Sequence, residues 1–253
     1  MKMIKAFVSK YWVTALIFAG LAGLYYVSTE KGDANPFLFP KVESIATAFE
    51  SDKHLMGANL LASFKMMIPA VIISLAIALA LGTFLGLNKK AREALHPIIY
   101  TFSVVPAILL SPFVLLLAPN MFVASIILIV YSTVWATLFA TITGIQTIDK
   151  RYLDKAATLE LKGLKRFFKV ILPAASPSIL AGFVNSLRNT FIMLVYAEMY
   201  GAQYGMGFYV KKFADFGLYS KVWVGFIFMV IVMVIVMQLF EKLKDHLLKW
   251  TIN

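Results

Sequence analysis

The chain has 253 residues, of which 60% are hydrophobic and only 15% are charged, and its mean hydropathy is +0.81. A soluble core of this size does not need so much apolar surface, so the composition excludes a soluble globular protein and predicts an integral membrane protein. The net charge of +11 would suggest nucleic acid as the partner of a soluble chain, but in a membrane protein it is typical of cytoplasmic loops. With no cysteine, the chain has no disulfide and no thiolate metal site.

Six apolar segments are each close to the ~20 residues that cross ~30 Å of hydrocarbon. They cover about residues 11–27, 66–87, 97–117, 121–145, 174–199 and 222–240. The polar stretch between the first two carries a candidate surface helix over residues 43–50. We therefore predict an all-α integral membrane protein with six transmembrane helices and one transmembrane domain, residues 1–253.

The distribution of Lys and Arg predicts the orientation of these helices. Sixteen lie in the N-terminal segment, residues 88–93, residues 149–173 and the C-terminal tail, whereas six lie in the two segments on the opposite side. Both termini and the 149–173 loop are therefore expected in the cytoplasm. No small-residue cleavage site follows the first apolar run, so it is interpreted as a retained span rather than a signal peptide.

The third span contains two prolines, so it is expected to be kinked or broken. Its sequence around Pro106, Ser111 and Pro112 would free backbone carbonyls in the middle of the membrane. Free carbonyls are tolerated where a helix lines a cavity or is buried in protein. We therefore favour a helix that lines a transport pathway over one that is merely kinked.

Ionisable residues within the spans cost a few kcal/mol or more unless they are paired or meet water. Lys65 opens the second span, and Arg188 and Glu198 lie in the fifth. The neighbours of Arg188 are polar, so this cluster does not face lipid: Asn185, Ser186, Asn189 and Thr190. Two interpretations stay open for Arg188, a bond to a neighbouring helix or a cavity-lining cation that attracts an anionic substrate. Glu198 is equally a candidate structural partner.

The loop over residues 149–173 is the one long, charged and strongly patterned segment between apolar spans. An apolar stripe recurs at helical spacing, with basic residues on the other side: Leu153, Ala157, Leu161, Leu164 and Phe168. Asp149 is a candidate N-cap, and Gly163 can take the positive φ that ends a helix. The pattern predicts two short helices with a break at Gly163. By itself the pattern is also typical of a basic amphipathic segment that lies on the membrane surface, and this alternative stays open.

The sequence contains no residue pattern that indicates an enzyme. The phosphate-binding pattern G-x-x-x-x-G-K-[ST] does not occur, so the chain is not expected to hydrolyse ATP. No His pair or carboxylate cluster lies within a span, and the three histidines are isolated near span ends: His54, His96 and His246. We expect no catalytic residue, metal or cofactor in this chain.

The loop resembles the cytoplasmic EAA loop of the membrane subunits of bacterial ABC importers. Asp154 stands where that family has Glu, Lys155 replaces its first Ala, and Ala156 matches its second. Ile171-Leu172-Pro173 matches the end of the motif, whereas Glu160 occupies the position of the family Gly. The resemblance implies a coupling helix that docks into a groove of an ATPase subunit. The implied coupling residues are Asp154, Ala156, Ala157, Leu161, Gly163, Leu164 and Pro173.

Further stretches resemble the nitrate, sulfonate and taurine group within these subunits. Val105-Pro106-Ala107 with Ser111-Pro112 is similar to a proline run in that group's third span. Ala197-Glu198-Met199, Gly201-Ala202 and Gly205-Met206-Gly207 are similar to its stretch after the fifth. The resemblance implies a pathway with these candidates: Pro106, Ser111, Pro112, Asn185, Arg188, Asn189 and Glu198.

The same resemblance implies a type I importer fold in the inner membrane of a bacterium. Its expected partners are a second copy of the chain, two ATPase subunits that bind ATP and Mg, an extracytoplasmic substrate-binding protein and membrane lipid, but no nucleic acid. The expected solute is small and anionic, such as a sulfonate, taurine or nitrate. The alternatives are a thiamine-precursor pyrimidine or another small organic solute. From a different class, a passive channel or scaffold would rest its basic loop on anionic lipid.

Overall fold

The computed structural model describes residues 2–32 and 34–251, and side chains from Trp12 to Trp250. The N-terminal lysines of the orientation prediction therefore carry no described side chains. The described residues form helices and turns and no strand. The helices are α1 (Lys2–Glu30), α2 (Val42–Leu87), α3 (Lys89–Val104), α4 (Ala107–Leu117), α5 (Met121–Gln146), α6 (Lys150–Thr158), α7 (Gly163–Arg166), α8 (Leu172–Gly201), α9 (Met206–Asp215) and α10 (Tyr219–Leu247). A π-helical turn, Phe167–Ile171, joins α7 to α8, and a 3₁₀ turn, Lys249–Thr251, follows α10.

Helices α2 and α5 lie side by side and run in the same direction. Near their C-terminal ends, Gly82 contacts Thr141 and Gly86 contacts Ile145 so closely that a Cβ at Gly82 would lie 2.6 Å from the Thr141 Cβ. Toward the N-terminal end of α5, Leu128 belongs to the same buried cluster as Met66 of α2. These glycines let the two backbones approach, as small residues do between membrane helices.

This parallel pair decides how the third apolar segment crosses the membrane. The chain that leaves the end of α2 must return to the opposite side before α5 begins, so α3 and α4 together make one crossing. The two helices are bent by 89° at Val105 and Pro106. Five single helices are also long and apolar enough to span, namely α1, α2, α5, α8 and α10. With the bent pair counted as one span, the described residues provide six candidate spans, and the break expected in the third is confirmed.

Helix α8 packs antiparallel to α5 through small and hydroxyl side chains. The two Oγ1 atoms of Thr133 and Thr190 are 2.9 Å apart, and the Ser186 Oγ donates to the Thr133 carbonyl at 2.6 Å. All three residues are buried. Buried hydroxyls that are satisfied in this way hold the two helices in one register. The core of the protein is therefore the layer formed by α2, α5 and α8.

One expectation about α2 was wrong. The surface helix expected over residues 43–50 and the second span are parts of one continuous helix of 46 residues. A helix of that length extends about 69 Å, more than twice the ~30 Å of hydrocarbon, so its N-terminal half lies outside the membrane. Contacts from distant sequence hold that half: Tyr209 donates to Asp52 at 2.9 Å and the Lys221 Nζ also lies 2.9 Å from it.

Candidate functional site

The loop between α5 and α8 begins with a capped helix. Asp149 is the N-cap of α6, and its Oδ1 accepts a hydrogen bond from the Arg151 backbone N–H at 2.8 Å. Its Oδ2 accepts from the Arg151 guanidinium at 2.6 Å. These hydrogen bonds hold the pKa of the Asp149 carboxyl below its ordinary value. The N-cap predicted from the sequence is confirmed.

Helix α6 ends earlier than expected, at Thr158 rather than at Gly163. Glu160 has a φ of 52°, the Leu161 N–H donates to the Ala156 carbonyl, and the Glu160 N–H donates to the Ala157 carbonyl, both at 2.9 Å. This hydrogen-bond pattern is the Schellman motif, in which glycine is the favoured residue with positive φ. The break in the loop is therefore confirmed but lies at Glu160, where the family that the loop resembles has its glycine. The first segment is a short helix, whereas the segment from Gly163 is not a separate short helix, because it continues through the π-helical turn into α8. Gly163, at φ 53°, only starts the second segment.

The apolar stripe of the loop is divided between two surfaces. Leu153 packs against the buried cluster of Ile145 and Ile171, and Ala156 is 1% exposed. Leu161 is half-buried. The other predicted coupling residues are exposed: Asp154, Ala157, Gly163, Leu164 and Pro173. One surface therefore fixes α6 to the bundle, while the other presents apolar side chains away from it.

The C-terminal turn returns to this loop, which the sequence did not indicate. Trp250 borders a cavity of about 400 Å³ together with Leu159 on one side and Pro173 on the other. Lys155 and Lys169 complete its rim. The tail that the sequence marked only as basic thus contributes an aromatic side chain beside α6.

The polar cluster of the fifth span is also divided. Ser186 and Thr190 are buried against α5, whereas Asn185, Arg188 and Asn189 are exposed on the outer surface of the protomer. The Arg188 Nη1 donates to the Asn185 Oδ1 at 3.2 Å. Among the described residues no carboxylate lies within 4 Å of the Arg188 guanidinium. Arg188 is therefore a cation without a counter-charge in the part of the protomer that the structure describes.

The residues of the bent span have different environments. Pro106 is exposed and occupies the N-cap position of α4, at the 89° bend. Pro112 is exposed and lies inside α4 without interrupting it. The Ser111 side chain is buried and lies 3.0 Å from the Tyr196 hydroxyl of α8. The hydroxyl contact connects the bent span to the helix that carries Arg188.

Glu198 is completely buried and supports the start of α9. Its Oε2 accepts a hydrogen bond from the Gly207 N–H at 2.7 Å. The Gly205 N–H donates to the Asn59 Oδ1, and the Met206 N–H donates to the Ser63 Oγ, each at 3.0 Å. The first free N–H groups of α9 are thus capped by side chains from α8 and α2. Glu198 therefore lies away from the exposed face of α8 that carries Arg188, and its partner is the backbone of α9. This is the structural role that the sequence left as an alternative.

Asn59 and Ser63 were missed by sequence reasoning, although a signal exists. They lie four residues apart, so they share one face of α2, close to the start of its apolar part. Within the described part of the chain, no group of three or more His, Asp or Glu side chains is placed to hold a metal ion.

Comparisons with known proteins agree with this architecture. Residues 72–251 match the family described as the inner membrane component of binding-protein-dependent transport systems. The fold is similar to a chain in the structure of the MetNI methionine ABC transporter, determined in inward-facing conformations. The TM-score is 0.65 at 14% identity, over 78% of this chain and 98% of that one.

Curated relatives are similar in sequence over part of their length. An aliphatic sulfonates transport permease of Bacillus subtilis is 30% identical over 174 residues, which are 69% of this chain and 63% of that protein. A nitrate import permease of Leptolyngbya laminosa is 29% identical over 161 residues, 64% of this chain and 58% of that protein. The chain thus matches less than two thirds of either relative.

Proposed function

Because the chain belongs to the family of inner membrane components of binding-protein-dependent transport systems, we propose that it is the membrane-spanning subunit of an ATP-driven importer. The observation that carries the proposal is the position of Arg188. Arg188 lies on the open face of α8, which is the exposed face that carries Asn185, Arg188 and Asn189. Helix α8 continues without interruption from the π-helical turn that follows the loop. One continuous helical segment thus connects Arg188, a candidate substrate contact, with the loop, a candidate contact of the ATPase.

A second copy of the chain is proposed to cover the open face of α8. Arginine and two asparagines in contact with lipid would cost a few kcal/mol or more. The residues that flank them on this face are apolar and exposed, with Ile192 at 65%. A two-fold symmetric partner would cover these apolar side chains and leave the polar ones around a shared, water-filled cavity.

The charge of that cavity favours an anionic solute. Two copies of Arg188 would face it, with Asn185 and Asn189 as polar neighbours. None of the described carboxylates lies within 4 Å of the guanidinium. A guanidinium binds planar or tetrahedral oxyanions through paired N–H donors. The names of two relatives, a sulfonates permease and a nitrate permease, support the same class of substrate.

The exposed surface of α6 is proposed as the docking site of an ATPase subunit. It presents Ala157 to the outside, next to the exposed Leu164 of α7, while Ala156 fixes α6 to its own bundle. ATP and Mg would bind to that partner alone. When two ATPase subunits close, they would draw the two loops together, and α8 would carry the motion to the cavity. An extracytoplasmic binding protein would deliver the solute at the other end.

Reconstitution of the chain with a candidate ATPase subunit and a candidate binding protein from the same genome tests this proposal. Proteoliposomes should accumulate an alkanesulfonate or nitrate only when ATP and the binding protein are both present. Accumulation of a pyrimidine instead would keep the importer and overturn the anionic solute. Flux of solute without ATP would identify a channel, and failure of the purified chain to bind any ATPase would identify a scaffold.

A further inference from the structure

We propose that the cavity at the end of the bundle opposite the loop is an anion-binding vestibule, and that Lys65 supplies its positive charge. The inference rests on the proposed function, because it adds a second binding position, besides Arg188, for the same anionic solute. The cavity has a volume of about 630 Å³. Its walls come from three elements: α2, the start of α5, and the segment between α8 and α9.

Lys65 is the only ionisable cation among the described residues that line this cavity. Its side chain is exposed, and no carboxylate of the described residues lies within 4 Å of its ammonium group. The charge is therefore available to a ligand. An unpaired ammonium group at the edge of a low-dielectric region attracts anions more strongly than the same group in open water.

The other polar groups of the cavity can donate hydrogen bonds to the same ligand. The Asn120 Oδ1 already accepts from the Val123 N–H at 2.9 Å, so the amide that remains is a donor. Gln203 adds an amide and Tyr204 a hydroxyl, both exposed. One cation with three neutral donors, and no acid in the wall, fits an oxyanion such as nitrate or the head of a sulfonate.

The depth of Lys65 separates this vestibule from Arg188. Lys65 precedes the end of α2 by 22 residues, or about 33 Å of helix, which places it at the far boundary of ~30 Å of hydrocarbon. Arg188 precedes Gly201, in the wall of the vestibule, by thirteen residues, or about 20 Å along α8. A solute that enters at this end would therefore meet Lys65 first and Arg188 second.

The absence of cysteine from the chain allows a direct test of the vestibule. Phe122→Cys introduces a single thiol into its wall without removing a proposed donor, in a complex held in nanodiscs of phosphatidylcholine alone. An anionic methanethiosulfonate reagent should modify this thiol about threefold faster than a cationic reagent of the same size. Lys65→Gln should remove the preference. Lys53→Gln should preserve it, because Lys53 lies twelve residues earlier on the same helix and pairs with Glu50.

Competing solutes identify the ligand. Nitrate or ethanesulfonate should slow the reaction of the thiol, whereas urea should not. Equal rates for the two reagents, or a preference that survives Lys65→Gln, would overturn the proposal. The same assay in nanodiscs that contain phosphatidylglycerol tests a lipid ligand. Slower modification of the thiol in these nanodiscs, with no effect of nitrate or ethanesulfonate, would also overturn the proposal, since the cavity would then bind a lipid headgroup. Because the assay needs no transport, its failure is distinguishable from failure of the importer proposal.

Discussion

The Gly207 N–H donates a hydrogen bond to the Glu198 Oε2 at 2.7 Å, which ties the first turn of α9 to the last turns of α8. Between them, Gly205 has a φ of 117° and lies against the Glu198 carboxyl group. The chain reverses direction here within a few residues. This turn shapes one wall of the vestibule, so its integrity bears on both assembly and transport.

Gly205→Ala should destabilise the protein. The alanine Cβ would overlap the Glu198 carboxyl group, and the φ of 117° is essentially reserved for glycine, with a backbone cost of about 1–3 kcal/mol. We expect a lower melting temperature and a lower yield of the purified chain. Gly57→Ala is the control, because this helical glycine has no neighbour within 4 Å and alanine there stabilises a helix by up to about 1 kcal/mol. Equal stability of the two variants would contradict the assigned geometry.

Glu198→Gln and Glu198→Ala separate a structural role from a pathway role. Glutamine retains an oxygen that accepts from the Gly207 N–H, whereas alanine leaves this buried donor unpaired at a cost of about 1–3 kcal/mol. Alanine should therefore lower the melting temperature and glutamine should not. If both variants keep wild-type stability and both abolish transport, Glu198 acts on the solute instead.

The left-handed conformation of Glu160 predicts an unusual stabilising substitution. A side chain at positive φ costs roughly 1–2 kcal/mol, so Glu160→Gly should stabilise the turn by about 1 kcal/mol. Tryptic cleavage after Lys162 should become slower. Glu160→Gln removes the charge but keeps the Cβ, and should leave the rate unchanged. Gly163→Ala should accelerate cleavage, because Gly163 also has positive φ. Faster cleavage in Glu160→Gly would contradict the turn.

Ala157→Glu tests the docking surface of α6. Ala157 is exposed in the protomer, so the substitution leaves folding intact but places an unpaired charge in the proposed groove of the ATPase, at a cost of a few kcal/mol. The purified chain should insert and dimerise but lose its ATPase subunits. Thr158→Glu, one residue further around the helix, should retain them. Retention of the ATPase by Ala157→Glu would exclude docking through this surface.

The sequence predicted what depends on local pattern. Apolar length located the spans, Pro106 located the bend, and Asp149 located the start of α6. What it missed depends on contacts between distant residues. Lys221 and Tyr209 satisfy Asp52 across more than 150 residues, so the polar stretch of α2 stays helical where local composition favoured a separate element.

For the residues of the candidate site, too, the sequence predicted what depends on local pattern and missed what depends on contacts between helices. The polar cluster around Arg188 was recognisable, but only packing against α5 separates buried Ser186 and Thr190 from the exposed face of α8. The turn of the loop was expected at a glycine. It forms at Glu160, because hydrogen bonds to the carbonyls of Ala156 and Ala157 stabilise a conformation that glutamate disfavours by itself.

The initial rate of ATP-driven uptake by Arg188 variants tests the central claim most directly. In proteoliposomes that contain the full complex, Arg188→Gln should strongly reduce uptake of an anionic solute, while assembly and resting ATP hydrolysis stay near wild type. Arg188→Lys retains the charge and should retain part of the uptake. A joint loss of yield, melting temperature and uptake in Arg188→Gln would instead show that the cation pairs with another helix. A stable Arg188→Gln complex that imports the anion at the wild-type rate would contradict the account.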